Sequence, residues 1–574
     1  MSKKHEFYPE WYEEKCPDKS YRSIFKWGAV DEFKHPNRQL FKLMKKTFKM
    51  TDEDFKTRKL MGLDEVSFNL PCRLRPDQVD FLKKIVGIEN IKTDNYSRLK
   101  VSYGKTMIDI MRLRQGIAEN LPDVVIHPRD KRDSEEVVKY CNRFKIAVYV
   151  YGGGSSVTRG LEPVKGGVTL DLSVHMKKVL SLNEKNHTVT VEAGISGPEL
   201  EHALNNAVSL FDAERPYTCG HFPQSFEYST VGGWVVTRGA GQNSTLYGKI
   251  EDLVVCQEYI TPAGIIKTRE LPARATGPSV DQILIGSEGA YGILVTVTLR
   301  IFRFMQENTK RFSFIFKNWE DGKNAVREVM QSRFGYPSVF RLSDPEETDI
   351  AMKLYGVEGS IIDKIIKFRG YRQGERCLLL GTSEGDKNFT KLIKKKVKKI
   401  CKKHKAMYTT GYASKKWEKS RFRDPYLRDD LQDFEIITDT LECSANWENI
   451  ENVYRTVRGY CKQRPDTVCM THISHFYPQG ANLYFIFIGR MNSTEEYLEY
   501  QRGILDSIQR SGAAMSHHHG VGKMTAPWLE GDIGKNALGV LKALKKHFDP
   551  NNIMNPGGTL ALDLSDSNKR NFTL

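Results

Sequence analysis

Apolar and polar positions follow different rhythms along the chain. Residues 1–120 are charged and mixed, with helical spacing over 41–55 and 78–86, and they predict a mostly helical N-terminal layer. From 121 to 304, short apolar runs are punctuated by glycine. The runs 124–127, 168–172, 179–182, 188–191, 253–260 and 293–301 predict strands. Residues 146–151 form an unbroken apolar run, the pattern of a strand covered on both faces. Helices are predicted over 135–144, where Val137, Val138, Cys141 and Phe144 share one face, and over 199–207 behind a Gly-Pro start. From 305 to 534 the mixture resumes, with strands at 311–316 and 482–488 and helices at 319–331, 447–462 and 495–510. A helix at 534–547, a Pro550-Asn-Asn turn and a polar tail close the chain, and 535–574 is expected to pack back on the 121–304 part. The fold class is therefore α+β, with two large mixed parts, the second itself of α+β type.

Composition narrows the function. The chain has 574 residues and a hydrophobic fraction of 40%, enough for more than one core and too much for a disordered protein. No uncharged apolar run approaches the length of about 18 residues that a spanning helix needs. The start, Met1-Ser-Lys-Lys-His-Glu, lacks an apolar signal core. Ten cysteines, none spaced C-x-x-C, argue against a zinc ribbon, an iron–sulfur site or a disulfide scaffold. A net charge of +16 leaves anionic partners open.

Three glycine clusters follow predicted strands. Tyr151-Gly-Gly-Gly-Ser-Ser-Val157 can turn backbone N–H groups toward one centre and add two hydroxyls, which suits a pyrophosphate; a tight turn is the plainer reading. It is neither G-x-G-x-x-G nor a P-loop. The second cluster runs from His221-Phe-Pro-Gln-Ser through Ser229-Thr-Val-Gly-Gly233 to Thr237-Arg-Gly-Ala-Gly241. The third is Gly286-Ser-Glu-Gly289-Ala-Tyr-Gly292. With Asp171-Leu-Ser and Val191-Glu-Ala-Gly194 between them, the series resembles the FAD-binding domain of the vanillyl-alcohol oxidase and p-cresol methylhydroxylase superfamily. That resemblance implies non-covalent FAD and a two-part p-cresol-methylhydroxylase-type FAD domain, followed by an α+β substrate (cap) domain. It places the cofactor against Gly152, Gly153, Gly154, Ser155, Ser156, Val157, Gln224, Ser225, Ser229, Thr230, Gly233, Thr237, Arg238, Ala240, Glu288, Gly289, Gly292 and Ile293.

The C-terminal half separates two kinds of relative. FAD-linked D-2-hydroxyacid dehydrogenases carry a His-x-Gly-Asp-Gly-Asn-x-His stretch and a later Glu-His-Gly that bind a divalent metal. Here Tyr477 and Tyr484 stand at the two histidine positions, and His518 stands where the glutamate would be, so no metal is expected. The chain instead resembles the alkyldihydroxyacetonephosphate synthase family. The carrying residues are the run around His221, Pro337-Ser-Val-Phe-Arg-Leu342, Tyr426-Leu-Arg-Asp429, Asn482-Leu-Tyr-Phe485 and Ser516-His-His-His-Gly-Val-Gly-Lys523. This resemblance implies exchange of the acyl chain of acyl-dihydroxyacetone phosphate for a long-chain fatty alcohol, through a flavin–substrate covalent intermediate and without net redox. It implies a homodimer. It assigns Tyr484 the proton donor/acceptor position, Arg428 the substrate phosphate, and Arg341, His517, His518, His519 and His221 essential places around the reaction. The chemistry is coherent. A proton must leave a carbon beside a ketone, and a free tyrosine at about 10 is a poor base unless cations such as the three histidines and Lys523 lower it. Arginine offers a bidentate fork to phosphate. Read without the resemblance, the tyrosine is a core residue, the histidines a surface or metal-binding tract, and the arginines ion-pair partners. An FAD-linked hydroxyacid oxidoreductase is the alternative function. A non-catalytic lipid-surface protein is a third.

One further feature uses the charge. Residues 387–405 hold ten lysines and no acid, with Phe389, Leu392, Ile393, Val397 and Ile400 on one helical face. This predicts either an ordinary solvated helix or attraction to an anionic membrane, where each cation adds about 1 kcal/mol. Nucleic acid is not expected, because no aromatic-interleaved basic module accompanies it. The end Asn571-Phe-Thr-Leu574 is not a peroxisomal signal, so a cytoplasmic protein, peripheral on membrane, is the expectation.

Overall fold

Strand pairing organises the molecule, a computed structural model that describes residues 9, 11, 14–491 and 493–570. The two chain ends read above for targeting lie outside the described residues.

Four strands form the first sheet: β1 (Ile91–Lys92), β2 (Val124–Ile126), β3 (Val148–Tyr151) and β4 (Val168–Asp171), in the order β1-β2-β4-β3. β2, β4 and β3 are parallel, and β1 is antiparallel to β2. β1 comes from the stretch expected to be a helical layer, so that layer also contributes a sheet edge. The apolar run at 146–151 is buried, but β3 lies at the sheet's other edge. Its free side is closed by the chain's end: Val148 N donates to Ile553 O, and Asn555 N donates to Val148 O. This is how a wholly apolar edge strand avoids exposing a pairing surface.

Next come β5 (Val179–Asn183), β6 (Thr188–Glu192), the short β7 (Tyr217–Thr218), β8 (Val254–Thr261), β9 (Gly264–Lys267), β10 (Ile293–Arg300) and the short β11 (Phe302–Arg303). Five of them make an antiparallel sheet ordered β5-β6-β10-β8-β9. The helix Gly197–Asn205 starts where expected because Ser196 and Glu199 form a capping box. The helix Lys535–Phe548 packs back here: Lys545 Nζ donates to Ala290 O, and Phe548 meets the Tyr291 ring.

A seven-stranded antiparallel sheet follows: β12 (Lys310–Phe316), β13 (Phe340–Ser343), β14 (Cys377–Ser383), β15 (Met407–Tyr408), β16 (Ile436–Asn446), β17 (Val468–Ser474) and β18 (Gly480–Arg490), in the order β15-β12-β14-β13-β17-β18-β16. Helices Trp319–Gln331, Ile450–Gln463 and Thr494–Arg510 bury apolar faces against it. The lysine-rich helix is Lys387–Lys403, and it too is part of this core through Ile393, Val397 and Ile400. Leu392, expected on that face, is exposed.

The expected helix over 41–55 is two helices. Arg38–Phe48 ends at Lys49 in a left-handed conformation (φ 54°), and Asp52–Lys56 restarts on a Thr51 capping box. Both pack through Phe41, Phe48 and Phe55 on Phe434, just before β16. A buried ion cluster reinforces the joint. Arg22 makes a bidentate pair with Asp433 (2.8 and 2.9 Å), and Arg114 adds a third bond at 2.7 Å. Asp433→Ala would leave two guanidiniums buried without their anion. It is expected to cost about 3–5 kcal/mol in chemical denaturation; a loss below about 1 kcal/mol would show that the joint does not rest on this cluster.

Candidate active site

Strand register assembles the site. Opposite residues in antiparallel pairs project to the same face. Tyr484 on β18 lies opposite Glu442 on β16 and opposite His472 on β17. Two residues along, Asn482 lies between Ser444 and Ser474, and Ser474 faces Arg341 on β13. Period-2 alternation thus places Glu442, Tyr484, His472, Asn482 and Arg341 together on one face.

The triple histidine is delivered by a loop. Glu442, fully buried, accepts from Ser516 Oγ (2.7 Å) and from the backbone N–H groups of His517 (2.8 Å), His518 (3.1 Å) and His519 (3.0 Å). With its amide assigned nitrogen toward the carboxylate, Asn482 donates at 2.9 Å. Burial opposes charge on Glu442. The adjoining His518, His519 and His517, together with these donors, outweigh it and hold the carboxyl well below its usual range. At the far end of the same loop, Glu288 accepts from the N–H groups of Val521 (2.6 Å) and Gly522 (2.7 Å). Burial pushes Glu288 up to about 7, against those two donors. Gly520, at φ 83°, passes so close that a Cβ there would lie 2.6 Å from Glu288 Oε1.

One cavity of about 380 Å³ runs from the glycine loops to Tyr484. Every residue expected to bind cofactor lines it except two. Arg238 turns away to Glu251 and packs on Gly286, and Ile293 is sealed in the core of β10. The glycines are needed for close approach. A Cβ on Gly152 would lie 2.3 Å from Thr230 Oγ1, and one on Gly153 would lie 1.8 Å from Tyr228 O. The 152–157 and 228–233 loops therefore meet closely and present Ser155, Ser156, Ser229 and Thr230 to the cavity, with Ser225 beside them. An elongated cleft with such donors at one end and aromatic and imidazole groups at the other fits a dinucleotide flavin.

At the reacting end, Tyr484, His472, His518, His519, Arg341 and Arg428 line the cavity. The Tyr484 ring stacks on His472 (5.0 Å, 19°), lies 6.1 Å from His518 and meets His519 edge-on at 5.6 Å. Its hydroxyl donates to Thr440 Oγ1 at 3.0 Å. The expected depression of its pKa is not found. Burial pushes Tyr484 up to about 12; Thr440 opposes this, while Glu442 and Asp439 add to it. Lys523, expected beside it, instead bonds Asn555 (3.0 Å) and stands over Tyr149, too far around the loop to help. Burial lowers His519 to about 4, so that imidazole is uncharged. His517 does not line the cavity. Its Nε2 bonds the Tyr477 hydroxyl (2.7 Å) and its carbonyl accepts from Lys249 (2.7 Å). Nor does His221 line it: the ring is buried against Trp234 at 4.8 Å, with neither nitrogen hydrogen-bonded, and burial lowers it to about 3. Cys219 is buried beside it.

Arg341 pairs with Glu347 and lies 3.1 Å from His472 Nδ1. Arg428, on the helix Asp424–Gln432, is held by Asp429 (3.3 Å) and by the carbonyl of Lys105 (2.9 Å) and stands over Trp27. Trp27 itself lines the cavity. The N-terminal layer, which looked appended, thus supplies part of the wall and fixes an arginine. Sequence reading missed Glu442, His472, Glu347 and Trp27. An acid within the strand-like stretch 436–446, which also holds Asp439, was the available signal for Glu442.

Glu442, His517 and His518 present atoms within 4.8 Å of one another, a spacing that could hold a cation. Both Glu442 oxygens already accept N–H groups, while His517 Nδ1 faces His518 Nδ1 at 3.1 Å and its Nε2 holds the Tyr477 hydroxyl.

Because Glu442 has a depressed native pKa, its contribution to stability is complete above the unfolded value of about 4.5 and is lost as pH falls through the lower native value. Glu442→Gln should lose about 3 kcal/mol at pH 7, with the gap to the native protein closing below that range. Urea titrations across pH test this; a gap independent of pH would contradict it.

Comparisons agree with the geometry. Residues 122–269 match the FAD binding domain family, and 305–559 match the C-terminal domain of FAD linked oxidases. An alkyldihydroxyacetonephosphate synthase of Caenorhabditis elegans is 30% identical over 86% of this chain and 84% of its own. An uncharacterized FAD-linked oxidoreductase of Escherichia coli is 31% identical over 83% of this chain and 97% of its own. A solved alkyldihydroxyacetonephosphate synthase structure superposes with a TM-score of 0.79 at 26% identity, covering 93% of this chain and 99% of that one. The chain is an FAD enzyme with the two-part FAD-oxidase fold, and it belongs to the alkyldihydroxyacetonephosphate synthase family.

Proposed function

We propose that this enzyme makes the ether bond of ether lipids, exchanging the fatty acyl group of acyl-dihydroxyacetone phosphate for a long-chain fatty alcohol. The observation that carries the reading is the face of the seven-stranded sheet. Where a hydroxyacid dehydrogenase would hold metal ligands, it presents an uncharged tyrosine between imidazoles, with two arginines on the same cavity.

Arg428 is the substrate-phosphate ligand in this scheme. Its guanidinium is already oriented by Asp429 and the Lys105 carbonyl, so little ordering remains when the phosphate arrives. Arg341, fixed by Glu347, supplies a second positive charge beside His472. Tyr484, at about 12, carries its proton at neutral pH and begins as a donor. In its minor phenolate form it takes the proton from the carbon beside the ketone and returns to the neutral phenol, whose resting hydrogen bond is to Thr440 Oγ1. The bound flavin supplies an electron-poor ring able to exchange an electron pair with the substrate carbon. His517 and His221, behind the wall, position the loop and the Trp234 face rather than touch substrate.

The second reading, an FAD-linked oxidoreductase of a D-2-hydroxyacid, is favoured by the proximity of Glu442, His517 and His518. One assay separates the two: fatty-alcohol exchange on acyl-dihydroxyacetone phosphate, run beside dye reduction with D-lactate and D-2-hydroxyglutarate. Exchange without dye reduction is expected. Tyr484→Phe should lower exchange by at least about 10²-fold with flavin still bound. Dye reduction without exchange would overturn the proposal, and full activity in the phenylalanine variant would remove Tyr484 from its role.

A further inference from the structure

The helix Ile361–Phe368 is built inside out. Ile361, Ile362, Ile365 and Phe368 are 77%, 62%, 48% and 92% exposed and share one face, whereas the polar Asp363 points inward. The orientation is enforced. Asp363 bonds Arg376 at 2.6 Å, both are buried, and Ile366 packs with Met352 and Tyr371 beneath. A single exposed apolar residue needs no explanation, but a contiguous apolar stripe fixed outward by a buried ion pair marks a contact surface.

Charge identifies the contact. Lys364, Lys367, Arg369 and Arg372 are exposed on or just after the helix. Tyr371 donates to the carbonyl of Lys405, which ties this element to the end of the lysine-rich segment. Of the acids nearby, Glu358 pairs with Lys353, Asp349 with Arg376, and Asp363 with Arg376 and Lys367, while Glu375 is exposed. The same surface leads toward the site. Tyr355, at the end of the preceding helix Pro345–Leu354, lies under Lys416, and Trp417 of that helix (Tyr412–Ser420) lines the cavity.

We propose that Ile361–Phe368 lies in the surface of an anionic lipid bilayer, its apolar face among the acyl chains and the surrounding cations at the head groups. Among the described residues no helix is long and apolar enough to cross a membrane, so the contact is interfacial. The lysine-rich helix, whose apolar face is buried in the core, serves here as a charged flank and not as the inserting element. The purpose of the surface, collecting lipid substrates, rests on the function proposed above; the surface itself does not.

The test is sedimentation of the FAD-loaded protein with vesicles of phosphatidylcholine and phosphatidylserine. The wild type should bind, more weakly as salt rises. The variant Ile362→Asp/Ile365→Asp/Phe368→Asp should bind at least about tenfold more weakly, with flavin content and thermal midpoint unchanged. The single change Phe368→Ser should give an intermediate loss. Unchanged vesicle binding in the triple variant would overturn the proposal. So would a fall from dimer to monomer in light scattering with vesicle affinity retained, which would assign the stripe to a second copy of the chain. If the wild type fails to exchange fatty alcohol yet the contrast in vesicle binding persists, the function fails and the membrane surface stands.

Discussion

Two buried carboxylates hold one short loop between the halves of the molecule, and the reacting end of the site depends on that grip. Glu442 comes from the middle of β16 and takes the N–H groups at the start of the loop. Glu288 comes from the Ser-Glu-Gly turn before β10 and takes those at its end. Charge-assisted bonds of this kind are worth about 1.5–3 kcal/mol each, and they cost nothing in side-chain freedom on the loop's side because the donors are backbone. The histidine run is thereby fixed relative to both the flavin-binding loops and the sheet that carries Tyr484. The two anchors differ electrically. Glu442 stays ionised at any moderate pH, whereas Glu288 titrates close to neutrality.

The remaining features follow from burial. Burial keeps the tyrosine and His519 uncharged at neutral pH, so the guanidiniums of Arg341 and Arg428 are the chief positive groups lining the cavity. Each of these is tied down, Arg341 by Glu347 and Arg428 by the N-terminal layer. That layer is itself clamped to the helix carrying Arg428 by Asp433, Asp429 and Asp430: Trp27 N donates to Asp429 at 2.6 Å and Lys34 N to Asp430 at 2.7 Å. A segment that binds no substrate phosphate of its own therefore sets the position of the group that would.

Much of this was legible in the sequence, for definite reasons. The strands around the glycine clusters, the helix over 319–331 and the ordered series of loops depend on local periodicity and turn chemistry, which a single sequence carries. The break at Lys49 was not, because the 41–55 spacing stays helical across it and only the left-handed residue and the Thr51 cap divide it. Glu442 and His472 were hidden for another reason. Their importance comes from lying opposite Tyr484, and register between paired strands, adjacent in the chain for His472 and far apart for Glu442, is set by tertiary structure. The wrong direction expected for Tyr484 has the same origin: counting nearby basic residues omitted the desolvation that outweighs them. His221, His517, Arg238 and Ile293 belong to motifs whose neighbours line the cavity while they face away.

The loop is one mechanical unit held at both ends. Amide hydrogen exchange over residues 516–522 tests it in a double-mutant cycle of Glu288→Gln and Glu442→Gln on the flavin-loaded protein. Strong non-additivity is expected, with either change alone releasing most of the protection and the pair coupled by about 1 kcal/mol or more. Additive effects, each confined to its own end of the loop, would contradict it.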